Sequence, residues 1–243
     1  MDILKNIHYN IQSNALSDCE AIIMFGKILD FNNPVLRFLS HVFDIAVLNI
    51  LWLIFSLPVV TMGAATTAVY AVCFQILQDK SSGVLKPFWK SFRMNLKQAT
   101  VIWLILLAIL AVLGVDLWYF LFSQTFIAGI LQAIICGILI LLLLDALLIT
   151  IYAFTLLSLF ENTVKETLRN AILLILRNPM RSLGALAVDA SMLALAFYAP
   201  LSGISLLAVG MILLGIALTF FLNCLILMRV FKPYLPKEEE IVE

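Results

Sequence analysis

Two stretches of the chain, residues 99–122 and 126–159, contain almost no charged side chains. Each is longer than the roughly 20 apolar residues that an α-helix needs to cross the hydrocarbon core of a bilayer. Hydrophobic residues make up 63% of the chain and charged residues only 12%, whereas a soluble domain carries roughly 25% charged residues. The sequence therefore predicts an all-α integral membrane protein surrounded by the lipid bilayer, and it excludes a water-soluble fold.

Six hydrophobic segments predict a polytopic transmembrane helical bundle with about six spans in three hairpins. They cover roughly residues 39–60, 62–79, 98–122, 126–158, 182–200 and 204–228. The second segment is short for a span and carries the polar residues Thr66, Thr67 and Gln75. Two placements therefore remain open for residues 62–79, a full crossing and a re-entrant or interfacial position.

The positions of the basic residues favour the full crossing. The 15 lysines and arginines lie in four groups, namely before the first span, in residues 80–97, in residues 165–181, and from Arg229 onward. If residues 62–79 cross, all four groups face the same side, and the outer turns near 61, 124 and 202 contain no basic residue. The positive-inside rule then puts both termini in the cytoplasm of a multi-pass protein.

In this arrangement residues 57–63 form the outer bend of the first hairpin, because Pro58 ends the first helix. Gly63, Thr67 and Ala71 follow at intervals of four residues. Small side chains at this spacing lie on one face of a helix and let a neighbouring backbone approach closely. We interpret this stripe as a packing surface, with a ligand site as the alternative.

Residues 24–235 are predicted to form a single transmembrane helical domain. Residues 1–23 are polar, lack helical periodicity and do not resemble a secretory signal. Two interpretations of them are a disordered N-terminal extension and a translation start at Met24 rather than Met1. Residues 236–243 are predicted to be an acidic cytoplasmic tail.

Two basic stretches between the hairpins predict amphipathic cytoplasmic elbow helices. In LKPFWKSFRMNLK the large apolar residues share one face, and four cations lie beside it, namely Lys86, Lys90, Arg93 and Lys97. The second elbow repeats the spacing with Lys165 and Arg169. Such helices anchor a protein at the membrane interface. The alternative is that these six cations dock a partner, such as a subunit of a transporter.

Polar residues within the spans are candidate intramembrane sites, because ionisable groups in the bilayer are costly and by default mark a pathway or a polar contact. They are Asp44, Asn49, Asp116, Asp145, Asp189 and Asn223. No lysine or arginine lies within the predicted spans to pair with the aspartates. Asp44, Asp145 and Asp189 lie toward the inner side and can share a polar pocket with Asn49, Tyr152 and Asn223. Contacts between helices are one interpretation, and solute or proton transport is the other.

Motifs for catalysis or for cofactor binding are missing from the sequence. His8 and His41 are far apart and belong to no HExxH motif, and there is no P-loop, GxSxG or GxGxxG. The cysteines Cys19, Cys73, Cys136 and Cys224 form no CxxC pair. We therefore expect no catalytic, cofactor or metal site and no enzymatic activity. The net charge of zero gives no indication of nucleic acid as a partner.

The first hairpin, NNPVLRFLSHVFDIAVLNILWLIFSLPVVTMGAATTAVYAV, and the following FWKSFRMNLKQATVIWLILL resemble the YesL-like family of bacterial integral membrane proteins, a family without a known molecular function. The resemblance covers about residues 25–235. It is carried by Asp44, Asn49, Trp52, Pro58, Gly63, Thr67, Phe92, Asn95, Lys97, Ala99, Arg177, Asn178 and Pro179.

The resemblance implies a plasma-membrane protein of Gram-positive bacteria. Genes of this family often lie beside those of carbohydrate ABC importers, which implies a non-enzymatic accessory role in carbohydrate uptake with ABC transporter subunits as partners. Gene neighbourhood is not a mechanism, and the family has no established site residues to carry over. The alternative is an independent small-solute or proton-coupled transporter that uses the intramembrane aspartates.

Overall fold

A computed structural model describes residues 34–78, 83–122, 129–201 and 205–234, and these residues form helices and short connections without a strand. The seven α-helices are α1 (Pro34–Ser56), α2 (Met62–Leu77), α3 (Leu85–Phe122), α4 (Ile130–Leu159), α5 (Val164–Arg177), α6 (Pro179–Leu201) and α7 (Ser205–Phe231). Six of them, all except α5, are long and apolar enough to cross a bilayer. The predicted class, a polytopic helical bundle, is confirmed.

The chain divides into two compact units, Met1–Asp44 and Ile45–Glu243. All packing described below lies within the second unit. The predicted N-terminal extension, residues 1–23, and the acidic tail, residues 236–243, fall outside the described residues.

Helix α2 is the central helix of the second unit. Thirteen of its 16 residues are buried, and 72% of the span that contains it is buried, against 11–28% in the other five candidate spans. Its neighbours are α3, α4 and α7. Since five of its residues are alanine or glycine and none is charged, α2 can be surrounded by other helices without leaving a charge buried.

The start of α2 approaches its neighbours so closely that only glycine fits at position 63. A Cβ atom at Gly63 would lie 2.7 Å from the carbonyl oxygen of Ala99 and 2.7 Å from Cβ of Trp103 on α3, and 3.0 Å from the ring of Phe154 on α4. The packing role predicted for the small-residue stripe is thus explained by direct backbone approach. Thr67 lies one turn further on and donates its hydroxyl hydrogen bond to the Gly63 carbonyl oxygen at 2.9 Å.

The connection between α1 and α2 lies beside the N-terminal half of α3. The indole N–H of Trp103 donates to the carbonyl oxygen of Val59 at 2.7 Å. The ring centroid of Phe55, at the end of α1, is 4.9 Å from that of Phe92. The hydroxyl of Thr61 donates to the carbonyl oxygen of Phe55 at 2.6 Å and so satisfies one acceptor at the end of α1.

This position differs from the predicted outer bend at residues 57–63. An outer bend would lie near Phe122, but Trp103 is about 28 Å along α3 from that residue. The candidate span Val59–Leu77, which contains α2, has 19 residues and is long and apolar enough to cross a bilayer. Its length therefore leaves the full crossing open, and it is the position of the bend beside Trp103 that favours the re-entrant or interfacial placement of residues 62–79.

The first basic elbow forms the N-terminal part of α3 and is not a helix of its own. Helix α3 runs without a break for 38 residues, about 57 Å, so the cations of residues 86–97 are rigidly joined to the apolar part of the same helix. Phe88 and Phe92 are buried, and their rings stack with centroids 6.1 Å apart. The buried face of the elbow therefore packs on protein as well as lying near the membrane surface.

The second basic elbow is the separate helix α5, which starts with a capping box. Thr163 is the N-cap, and its backbone N–H donates to the carboxylate of Glu166 at 2.9 Å. These hydrogen bonds from Thr163 hold the pKa of Glu166 below its ordinary value. The end of α5 at Arg177 is followed directly by α6, which begins at Pro179.

The contact at Gly63 gives the first testable prediction. A Gly63→Ala change should destabilise the protein by about 1–3 kcal/mol, because the added methyl group meets backbone and the root of a side chain rather than a flexible end. Gly137→Ala is the matched control, since a Cβ there meets nothing within 4 Å, and it should leave stability unchanged or slightly higher. Thermal unfolding in detergent measures both. Equal melting temperatures for the two variants would contradict the close approach.

Candidate intramembrane polar site

The basic ends of α6 and α7 lie at one level, which marks one side of the apolar region, and Tyr152 of α4 lies at the same level. The guanidinium of Arg181 on α6 donates to the carbonyl oxygen of Arg229 on α7 at 3.0 Å. Tyr152 on α4 and Ser182 on α6 share a buried hydrogen bond of 2.9 Å. Positions deeper in the apolar region can be measured from this level with the helical rise of about 1.5 Å per residue.

Asp189 and Asn223 form a direct polar contact between α6 and α7. The side-chain amide of Asn223 donates to Oδ1 of Asp189 at 2.6 Å. Counted from Arg181 and Arg229, the two residues lie about 12 Å and 9 Å below the basic level. A carboxylate at such a depth is costly, about 2.5–3.5 kcal/mol at a helix centre on insertion scales, and a hydrogen-bond donor lowers that cost.

Tyr70 on the central helix α2 completes this cluster. It is buried and lies within electrostatic range of Asp189 and Asn223. Oδ1 of Asn223 is buried and has no hydrogen-bond partner among the described residues. Tyr70 was not predicted from the sequence, because a tyrosine inside an apolar run gives no sign of which helix it faces.

An apolar cavity of about 590 Å³ adjoins Asp189 between α1, α6 and α7. Its volume is within the usual range for small-molecule sites, about 300–1,000 Å³. Polar groups are few, since the lining residues are Trp52, Leu53, Asp189, Met192, Leu193, Ala196, Ala199, Pro200, Met211, Ile212, Gly215, Ile216, Thr219 and Phe220. The Asp189 carboxylate can accept a hydrogen bond or a proton from a small solute in this cavity.

Asn49 joins α1 to the backbone of α7. Its amide donates to the carbonyl oxygen of Ile212 at 2.9 Å, and its Oδ1 accepts from the backbone N–H of Ala217 at 3.0 Å. The side chain is fully buried. Because water is absent from the hydrocarbon region, backbone groups there must be satisfied by protein, so Asn49 has a structural role.

Two tryptophans also join separate elements by hydrogen bonds, and neither was predicted as a site residue from the sequence. Besides the bond from Trp103 to Val59, the indole N–H of Trp52 donates to the hydroxyl of Thr66 at 3.0 Å. Tryptophan usually places its N–H on a partner when the ring is buried. Together these bonds attach α1 and the bend to α2 and α3.

The shared pocket of inner aspartates expected from the sequence does not include Asp145, which is exposed on α4. Asp116 is exposed on α3, six residues before the helix ends. Asp44 belongs to the first unit and is partly buried within α1. Tyr152 bonds to Ser182 instead of to an aspartate. Only Asp189 and Asn223, among the six predicted polar residues, contact each other in the described part of the chain.

The predicted elbow cations are all exposed, and one group of them borders a groove. Lys86, Lys90, Arg93, Lys97, Lys165 and Arg169 are exposed. A groove of about 480 Å³ lies where the end of α2, the start of α3 and the end of α4 meet. We call it the basic groove; it is lined by Ala71, Gln75, Lys86, Pro87, Lys90, Ser91, Met94, Asn95, Leu157, Ser158, Leu159, Phe160 and Glu161.

The contacts of Asn49 lead to the second prediction. An Asn49→Ala change should cost about 1–3 kcal/mol, because it removes the hydrogen bonds to two backbone groups of α7, one of which is buried. Asn95→Ala is the matched control, since the Asn95 amide bonds only to Ser91 one turn away on its own helix. Chemical unfolding of both variants in detergent measures the difference. A loss for Asn49→Ala no larger than that of the control would contradict the structural role.

Comparison with known proteins identifies one match. Residues 45–117, which include the end of α1, all of α2 and most of α3, match the family model described as "Protein of unknown function, DUF624". No curated protein matches the chain, and no solved structure matches it. The matched segment contains Asn49, Gly63 and Trp103, whose contacts are described above. Residues 45–117 are therefore similar to the DUF624 family, and the resemblance to the YesL-like membrane proteins is confirmed over this segment.

Proposed function

We propose that the protein is a non-enzymatic component of the bacterial plasma membrane that assists carbohydrate uptake by an ABC-type importer. The observation that carries the proposal is the basic groove. It lies at the basic end of the bundle, which the positive-inside rule assigns to the cytoplasm. In this proposal the groove binds a cytoplasmic segment of an importer subunit.

The chemistry of the basic groove suits an acidic or polar partner segment. Lys86 and Lys90 are four residues apart on α3, so their ammonium groups lie on the same face of the helix. Exposed cations of one sign steer an oppositely charged partner toward the surface and set its register. The lining contains one acidic residue, Glu161, and Ser91, Asn95 and Gln75 add hydrogen-bonding groups along the same groove.

An exposed aromatic and cationic pair lies next to the groove. The guanidinium of Arg93 is 5.7 Å from the ring centroid of Trp89, and Trp89 is 46% exposed. Tryptophan and arginine are the residues most enriched among those that dominate binding energy at protein interfaces. This pair supports a protein partner for the surface, in addition to lipid head groups.

The groove is also held rigidly. The rings of Phe88 and Phe92 pack around Phe55, with centroids 5.5 Å and 4.9 Å from it. Since the same helix continues into the apolar region, a partner bound at Lys86 and Lys90 is fixed relative to the membrane. A rigid surface loses less conformational entropy on binding than a loop does.

The triple change Lys86→Gln, Lys90→Gln and Arg93→Gln tests the proposal. Tagged protein is purified from its native membrane in mild detergent, and the co-purifying proteins are quantified by mass spectrometry. We expect ABC permease subunits to co-purify with the unchanged protein. The amount of co-purified permease should fall at least about tenfold with the triple variant. The pair Lys165→Gln and Arg169→Gln on α5 is the matched control and should retain the complex. Unaltered co-purification with the triple variant would show that the basic groove does not bind the importer.

The second candidate function is transport of a small solute or of protons, and the observation that favours it is the contact of Asp189 with the 590 Å³ cavity. In this mechanism Asp189 binds the solute or the proton, and Asn223 stabilises its charged form by a hydrogen bond. Tyr70 supplies a hydroxyl within electrostatic range of the pair.

The Asp189→Asn change distinguishes this function from the first. In liposomes that contain the purified protein, a transporter should show a flux of protons or of small sugars that Asp189→Asn abolishes. Asp116→Asn is the matched control, because Asp116 is exposed and lies away from the cavity. An identical flux with Asp189→Asn and with unchanged protein would remove the transport alternative.

A further inference from the structure

A second cavity, of about 500 Å³, lies on the outer side of the bundle between α3, α4 and α5. Nine of its ten lining residues are apolar, and the tenth is Asp145. We call this surface the Asp145 groove; its lining residues are Leu106, Ile109, Leu113, Leu142, Asp145, Ala146, Ile149, Ile172, Ile175 and Leu176. Asp145 itself is exposed, unlike Asp189.

The Asp145 groove faces the hydrocarbon of the bilayer. On α4, Asp145 lies seven residues from Tyr152, which marks the basic level, and 15 residues from the other end of the helix at Ile130. These separations are about 10 Å and 22 Å. The neighbouring Leu141 and Leu142 are 63% and 47% exposed, as expected for side chains that contact lipid. A carboxylate at this position is therefore surrounded by apolar groups.

Among the described residues, none is a partner for this carboxylate, because no hydrogen bond or ion pair there involves Asp145. The helices α3 and α4 contain no lysine or arginine in residues 98–122 and 130–159. Helix α5, which supplies three of the ten lining residues, carries Lys165, Arg169 and Arg177. Among the described residues none of these three cations forms an ion pair with Asp145.

Asp189 and Asp116, the other two acids within α3, α4, α6 and α7, are accommodated differently. Asp189 accepts the hydrogen bond from Asn223. Asp116 is close to the end of α3, beside the exposed aromatic residues Trp118 and Tyr119, which are typical of the interface between lipid and water. Asp145 is thus the acid whose position within the membrane is not explained by the chain itself.

We propose that the Asp145 groove binds a transmembrane helix of another protein, and that this helix carries a lysine or arginine opposite Asp145. The apolar lining packs against the side chains of the partner helix, and the ion pair fixes its depth and orientation. Ionisable groups within the bilayer are costly, and pairing with another ionisable group is one of the ways in which that cost is reduced. This inference does not rest on the proposed function, because any membrane protein with such a helix can fill the groove.

Model peptides test the inference directly. The purified protein is labelled with a donor fluorophore and placed in phosphatidylcholine vesicles with an acceptor-labelled leucine helix of roughly 20 residues. One peptide has a single lysine about 10 Å from one end of its apolar segment, and the other has leucine at that position. We expect energy transfer to report binding of the lysine peptide that is at least about tenfold tighter.

Variants of the protein show whether binding of the lysine peptide depends on the Asp145 groove. Asp145→Asn should abolish the preference for the lysine peptide, and Asp116→Asn should retain it. Leu142→Trp, which fills the groove and keeps Asp145, should weaken binding of the lysine peptide. This variant keeps the inference testable if Asp145→Asn does not fold.

Three results would overturn the inference. They are equal binding of the two peptides, a preference for lysine that persists in Asp145→Asn, and unchanged binding in Leu142→Trp. Energy transfer between two differently labelled copies of the protein that is lost in Asp145→Asn would also overturn it, because the occupant would then be a second copy of this chain.

Discussion

The close approach of α2 to α3 and α4 at Gly63 is the contact on which the rest of the bundle depends. With no side chain at this position, the start of α2 can lie against the Ala99 carbonyl and the Trp103 side chain. Helix α2 is then covered on its remaining sides by α4 and α7. A short helix of small, uncharged residues thereby becomes the centre of the structure, and longer helices take the positions exposed to lipid.

Enclosing α2 in this way leaves polar groups where water cannot reach them, and most of these groups are satisfied by neighbouring helices. Asn49 bonds to the backbone of α7, Trp52 to Thr66, and Tyr152 to Ser182. Each bond joins two helices and therefore also fixes their relative depth. Such contacts matter in a membrane protein, because lipid tails are as apolar as leucine and do not drive helices together.

The two surfaces assigned to partners are built from the same helix. Helix α3 borders the basic groove with Lys86 and Lys90, and it borders the Asp145 groove with Leu106 and Ile109. One surface is polar and lies beyond the apolar region, while the other is apolar and lies within it. Because α3 is unbroken, a protein that contacts both surfaces would be held at a fixed angle and depth.

The sequence by itself determined the membrane class, the approximate positions of the apolar segments and the basic side of the bundle. These follow from hydropathy, proline positions and the distribution of lysine and arginine, which are properties of short segments. It also identified Gly63 as a packing position, since small residues at intervals of four residues indicate close helix packing even when the neighbouring helix is not known. The absence of intramembrane cations was likewise evident from the sequence.

Only the tertiary structure decided which polar residues meet. The sequence placed Asp145 and Asp189 at similar depths, but depth does not specify the direction in which a residue faces, and the two helices turn one residue outward and the other onto Asn223. The position of the bend beside Trp103 was also undetermined, because the charge rule assumes that each apolar segment crosses the bilayer. A segment such as α2 can instead bury its apolar surface in protein, and hydropathy does not distinguish protein from lipid.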